Sequence, residues 1–311
     1  MSSGVSKSTS LTLTAALSAL GAALAYLIIS YFLVGFKSDQ LVLAGIFCCA
    51  FFASTITRKF ILGFSIFIVY WIIFDYMKAF PNYNYNPVHI AGLYNLEKHW
   101  FGLHIGGKIL TPNEYWSIYG FTFLDIITGI FYLCWIPVPL AFASYMFFVN
   151  RDQFLRFSLT FVFVNLLGFI VYYAYPAAPP WYVQYHGFHF IKLTAGNTAG
   201  LARFDRHLHA GIFKSIYAKG SNVFAAMPSL HSSYPVIVLY YGLKNRLGWI
   251  NLFFATVMIG IWFSAVYNSH HYLLDVIAGV ICAITGIVLF NYMCKSSVIK
   301  QSLYRYEALI R

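Results

Sequence analysis

Asn268-Ser269-His270-His271-Tyr272-Leu273-Leu274-Asp275 is followed by Val276 through Cys294 without a further charge. An apolar run of this kind matches the roughly 20 residues a helix needs to cross the hydrocarbon of a bilayer. If the helix spans about 271–294, His271 and Asp275 lie four apart on one face. An acidic side chain within a membrane helix is costly, so Asp275 marks a candidate functional site. A carboxylate beside an imidazole fixes its tautomer and raises its basicity.

The same criterion, applied outward, finds charge-poor apolar runs near 11–36, 39–58, 60–78, 119–149, 156–175, 228–244 and 249–267. The chain therefore reads as an all-α polytopic membrane protein with about eight transmembrane helices. Asp75 lies near the end of the third run, and the long fourth holds Asp125, Pro137 and Pro139, which predict a kink. Charged residues make up 9% of the 311 residues and hydrophobic ones 60%. Soluble domains carry about 25% charged residues, so this chain must expose apolar surface to lipid. The net charge of +11 is scattered over loops and tails, which argues against nucleic acid as a partner. The five cysteines form no CxxC pair and sit in or beside apolar runs, so they read as buried thiols. The first apolar run reads as a retained helix, not a signal peptide.

Two long connections, near 79–118 and 176–227, interrupt the pattern. Loops of this length in compact proteins are functional or disordered, and both are aromatic and of mixed composition. Thr111-Pro112-Asn113-Glu114 in the first predicts a helix start, with Thr111 as N-cap. Lys and Arg concentrate on one side: Arg58-Lys59, Arg151 with Arg156, Lys244 with Arg246, and the basic tail. That side is expected to be cytoplasmic, which turns both long connections and the link at 268–270 outward.

A second motif faces the same way. Met227-Pro228-Ser229-Leu230-His231-Ser232 opens the run near 228–244, with Pro228 suited to a first helical position. Unpaired amides and the positive end of the dipole make such a helix start a place for phosphate. Two histidines at outward helix starts, with one carboxylate, suit phosphoryl transfer through a covalent phosphohistidine.

Ser264-x6-His271-x3-Asp275 together with Pro228-Ser229-x-His231 resembles the second and third motifs of the phosphatidic acid phosphatase type 2 superfamily. The resemblance implies a six-helix catalytic core. It makes His271 the nucleophile, His231 the general acid, and Asp275 the residue that orients the nucleophile. Residues 1–58 then form two additional N-terminal helices, and 59–311 the six-helix catalytic membrane domain. The departures matter. Leu230 replaces the family's Gly, Ala265 replaces its Arg, and its basic first motif is not found. Tyr175-Pro176-Ala177-Ala178-Pro179-Pro180-Trp181-Tyr182, Gly200 through Asp205, Phe224 through Ser232 and Ser269 through Tyr272 resemble the inositol phosphorylceramide synthase branch. The resemblance extends over about Pro112 to Val280.

A phosphomonoester carries about −1.5 to −2 charge and calls for a basic clamp. A phosphodiester carries a single charge, so the lost Arg favours a diester donor. The resemblance therefore implies transfer of phosphoinositol from phosphatidylinositol to ceramide, with release of diacylglycerol. Arg203 could neutralise the remaining charge, with Arg206 and Lys219 as rivals. Ser229, Ser264, Tyr267 and Asn268 are candidates for hydrogen bonds to phosphate. The substrates and the bilayer are the expected partners. Neither cofactor nor metal is expected. The site would face the periplasm from a bacterial inner membrane, or the Golgi lumen in a eukaryote; the short chain points to the first. A lipid phosphate phosphatase is the rival reading with water as acceptor. A transporter or scaffold with a structural His–Asp pair is the rival of another class.

Overall fold

The computed structural model describes residues 11–218, 220 and 222–311, so Lys219 lies outside the described residues. Its contacts divide the chain into two units. One comprises the chain up to Ala79 with Leu303–Arg311, and the other Phe80–Ser302.

The first unit holds α1 (Leu13–Val34), α2 (Ser38–Ala53) and α3 (Thr55–Tyr76). Thr12 caps α1 and Ser54 caps α3 by accepting backbone N–H bonds. The side chains that α1 turns outward are leucines and other apolar residues, as lipid contact requires.

The second unit opens with α4 (Ala91–Phe101), the hairpin β1 (Leu103–Ile105) and β2 (Lys108–Leu110), and α5 (Pro112–Tyr119). Gly106 and Gly107 both take positive φ, which a two-residue turn of this hairpin demands. Thr111 and Glu114 form the reciprocal cap that the sequence predicts at the start of α5. Then follow α6 (Thr122–Leu133), α7 (Pro137–Val149), α8 (Arg151–Ala174), and α9 (Pro180–His186). Next come α10 (Leu201–His207), α11 (Ile212–Ala218), α12 (Leu230–Lys244), α13 (Ile250–Tyr267) and α14 (Leu273–Met293), and last α15 (Ser297–Ile310), which from Leu303 on belongs to the first unit.

All eight sequence-predicted spans are helical. Six are long and apolar enough to cross a bilayer, with α6 and α7 together forming one. The other two, α2 and α12, are shorter at 16 and 15 residues. The expected kink in the fourth run is a break at 134–136, just ahead of Pro137 at the start of α7. The core of this unit is α12, packed against α8, α13 and α14. Contact with α14 is backbone-close. A Cβ on Gly279 would lie 2.2 Å from the Ser229 carbonyl oxygen, and the Ser233 hydroxyl donates to the Gly279 carbonyl at 2.7 Å. Small residues at such crossings are how membrane helices approach without a hydrophobic drive.

Two helix starts differ from the sequence expectation. Pro228 is not the first residue of α12; it precedes the cap Ser229 and follows a cis peptide bond. His271 is not inside α14, because Tyr272 is the N-cap and the helix begins at Leu273. The cause is Asp275. Its carboxylate turns back to accept the Tyr272 N–H at 2.8 Å, which closes the helix start one residue after His271.

Candidate active site

The site is built where α12 and α14 begin. The Ser229 N–H donates to the Asp275 carbonyl at 2.9 Å, which ties the two motifs together through the backbone. The loop between α13 and α14 is short and tightly bonded. The N–H groups of His270 and His271 both donate to the Ala265 carbonyl, at 3.1 and 3.0 Å. Ser269 takes a φ of 58°, the left-handed conformation that ends many helices. Its carbonyl accepts from the Trp181 N–H, and its hydroxyl accepts from Gln184.

His231 and His271 meet. Nδ1 of His231 stands 3.1 Å from Nε2 of His271. Nδ1 of His271 stands 3.0 Å from the Ala226 carbonyl oxygen. A carbonyl oxygen only accepts, so His271 Nδ1 carries the proton. When that is its one ring proton, the lone pair lies on Nε2, where His231 Nδ1–H can donate to it. The Trp135 ring stands edge-on to His231 with centroids 4.5 Å apart, and Tyr132 lies at 5.2 Å. His270 stacks on Tyr217 at 4.5 Å, with Nε2 3.0 Å from the Thr198 carbonyl oxygen. Burial and the neighbouring His271 push His270 down to about 3, so it stays neutral.

Asp275 is fully buried, and its Oδ2 lies 3.6 Å from His271 Nδ1. That is longer than a hydrogen bond. Asp275 thus stands beside the imidazole while Ala226 holds the ring proton. Its Oδ1 has no hydrogen-bond partner among the described residues.

The candidate phosphate ligands lie as follows. Ser229 is buried as the cap of α12, and Ser232 donates both N–H and hydroxyl to its Oγ. The Ser264 hydroxyl donates to the Gly260 carbonyl one turn back, at 2.6 Å. The Asn268 amide donates to Thr128 and to the Ser264 carbonyl. Tyr267 and Arg203 both point to Asp125: the Tyr267 hydroxyl donates to it at 2.8 Å, and Arg203 Nε pairs with it at 2.6 Å. The Arg203 guanidinium also lies over the Tyr267 ring at 5.0 Å. His207 reaches the other oxygen of Asp125 at 3.2 Å. These five candidates therefore end on groups of the protein itself. Arg206 lines an open cleft of about 470 Å³ with Thr198, Asp205, His209 and Lys214.

Sequence reasoning placed Asp125 only as a charge within a span; its partner role could have been sought from that isolation, because a lone intramembrane carboxylate needs a cation. Glu97 and Asn113, both fully buried, were not singled out at all. Glu97 accepts the N–H groups of Leu273 and Leu274 at 2.8 and 3.1 Å. Asn113 donates to the carbonyls of Val266 and His271, each at 2.8 Å.

The arrangement sets two ring nitrogens, His231 Nδ1 and His271 Nε2, against each other at 3.1 Å, with a buried carboxylate beside the second ring. A family profile described as PAP2 superfamily matches residues 116–289, more than half of the chain and including His231, His271 and Asp275. The chain is 44% identical over 269 residues to phosphoinositol dihydroceramide synthase of Bacteroides thetaiotaomicron, covering 86% of this chain and 88% of that protein. It is 31% identical over 174 residues to inositol phosphorylceramide synthase of Candida albicans, covering 51% of this chain and 36% of that one. It is 27% identical over 235 residues to the inositol phosphorylceramide synthase catalytic subunit of Saccharomyces cerevisiae, covering 72% and 54%. No solved structure matches the chain. Family match and site geometry converge on one assignment: this chain belongs to the PAP2 superfamily.

Proposed function

We propose that this chain transfers phosphoinositol from phosphatidylinositol to the primary hydroxyl of a ceramide-type lipid, through a phosphohistidine at His271. The observation that carries the mechanism is the opposed pair of ring nitrogens, His231 Nδ1 and His271 Nε2, 3.1 Å apart. The substrates follow from relatives named as phosphoinositol dihydroceramide and inositol phosphorylceramide synthases.

In the first step the Nε2 lone pair of His271 forms a bond to phosphorus. The bond from phosphorus to the diacylglycerol oxygen breaks, and that oxygen takes the Nδ1 proton of His231, which enters the step as the imidazolium and leaves it as the neutral ring. The phosphorylated ring becomes cationic, with its Nδ1–H on the Ala226 carbonyl and the Asp275 carboxylate beside it. In the second step the ceramide hydroxyl gives its proton to His231 and attacks phosphorus, and Nε2 leaves with its lone pair. Both histidines return to their starting protonation. Attack distances are roughly 3–3.5 Å, so the 3.1 Å contact between the rings is the resting arrangement and the rings part to admit the phosphodiester. The basic residues Arg151, Arg156, Lys244 and Arg246 lie at the opposite helix ends, and by the positive-inside rule this supports a site on the non-cytoplasmic face.

The test is direct. Purified protein is given phosphatidylinositol, phosphatidic acid and ceramide, and inositol phosphorylceramide, diacylglycerol and free phosphate are measured by mass spectrometry. The transferase yields inositol phosphorylceramide and diacylglycerol together, and His271→Ala yields neither. Free phosphate from phosphatidic acid, without a ceramide product, would overturn the assignment.

A further inference from the structure

Three consecutive amides at the start of α14 end on carboxylates. Tyr272 N–H donates to Asp275, and Leu273 and Leu274 donate to the two oxygens of Glu97. A helix start of this kind would otherwise attract an anion. Here that capacity is taken by two buried acids, so it serves to hold the helix start in place.

Glu97 lies on α4 and has no accessible surface. No cation pairs with it among the described residues, so its charge is compensated only by these two amides and the helix dipole. Such burial is costly. It pushes Glu97 up to about 7, with the nearby Asp275 adding to the effect. A second clamp comes from α5. The single amide group of buried Asn113 donates to Val266 and to His271, bridging the loop from its beginning to the residue that carries the imidazole. Glu97 thus holds the residues after His271, and Asn113 holds the loop up to it.

We infer that Glu97, with Asn113, is a positioning residue that fixes the His271 loop in register, so that His271 Nε2 faces His231 while its Nδ1 stays on the Ala226 carbonyl. The inference rests on the reading of His271 as nucleophile. The outward connection near 79–118 then has a defined task. Its two helices reach in beneath the catalytic loop with one acceptor pair and one donor group. Neither residue touches the reacting atoms.

The experiment uses the full chain in detergent or nanodiscs, with Glu97→Gln, Glu97→Asp, Asn113→Ala and His271→Ala. Gln keeps the shape of Glu but turns an N–H donor toward one of the two amides. Misplacement of a reacting group by about 1 Å can cost about 100-fold, so Glu97→Gln is expected to lower kcat about 10- to 100-fold. KM for phosphatidylinositol and for ceramide should stay within about twofold, because no substrate contact is lost. Single-turnover formation of phosphohistidine should slow by the same factor as kcat. Asn113→Ala should behave alike, and Glu97→Asp should recover part of the rate. Unchanged kcat in folded Glu97→Gln and Asn113→Ala overturns the inference. So does failure of both Glu97 variants to fold, which would make the residue a folding element only. An active His271→Ala would instead overturn the reading beneath it. A dead His271→Ala beside unaffected Glu97 variants separates the two failures.

Discussion

His231 Nδ1 donates to His271 Nε2 across 3.1 Å, and the proton on His271 Nδ1 is held by the Ala226 carbonyl at 3.0 Å. This relay supports the proposed roles, His271 as nucleophile and His231 as acid, because the carbonyl can only accept. In the proposed mechanism one histidine then serves as acid in the first half-reaction and base in the second.

Removing His231 should therefore hurt both half-reactions, by about 10²- to 10⁴-fold with natural lipids. The halves can be separated. A phosphoinositol donor with a nitrophenol leaving group needs no proton on departure. With His231→Ala this donor should release nitrophenol in a burst close to one equivalent and load His271, seen as an acid-labile phosphate on that peptide. Turnover should then stall, since the ceramide hydroxyl has no base. Full turnover with the activated donor would mean that another group takes the proton.

Asp275→Asn should be milder than loss of the carboxylate in a Ser-His-Asp triad. There the Asp is the group that fixes the tautomer, and its amide variant costs about 10⁴ in kcat. Here Ala226 holds Nδ1–H, and Asp275 lies at 3.6 Å. The expected loss of kcat is about 10- to 100-fold, from weaker stabilisation of the cationic phosphohistidine and a disturbed α14 cap. A loss near 10⁴ would show that the ring turns to Asp275 during turnover.

The meeting of His231, His271 and Asp275 was legible because each is a polar group in an apolar setting, at a helix start, with motif spacing. The eight helices were legible for the same reason: a bilayer leaves few alternatives to long apolar runs. What stayed hidden depends on contacts between distant segments. Glu97 lies 176 positions from Leu273, and Asn113 lies 158 positions from His271. Nothing local marks them, since α4 and α5 look like ordinary amphipathic interfacial helices. Arg203 read as a loop cation open to phosphate because its partner, Asp125, belongs to a helix 78 positions away. Helix starts were misplaced by about two residues, since side-chain caps and not apolarity set them.

The Arg203–Asp125 pair separates a phosphate clamp from a structural ion pair. Arg203→Ala leaves a buried carboxylate with Tyr267 and His207 as its side-chain partners among the described residues, and breaking a buried pair in this way costs about 3–5 kcal/mol. A large fall in melting temperature is expected, and Asp125→Asn in the same chain should recover much of it, since no charge is then stranded. KM for phosphatidylinositol measured in the stable double variant decides the rest. An unchanged KM makes the pair structural, and a rise of about tenfold or more returns Arg203 to the phosphate.

Glu97 gives the protein a pH-dependent stability whose sign is fixed by its environment. Its carboxyl is pushed from 4.5 up to about 7, chiefly by burial. Between those values the folded chain holds a proton that the unfolded chain has released. The stabilisation is complete below about pH 4.5, is lost as pH rises through 7, and changes no further above. The shift corresponds to about 3 kcal/mol. Other groups titrate over the same range, so the measurement is a difference: the melting temperature of the wild type minus that of Glu97→Gln, in detergent, from pH 5 to 8. The amide carries no titrating proton, so the difference should fall steadily with rising pH and level off above about 7.5. A difference that stays constant would mean that Glu97 is ionised throughout and that the two α14 amides compensate its charge completely.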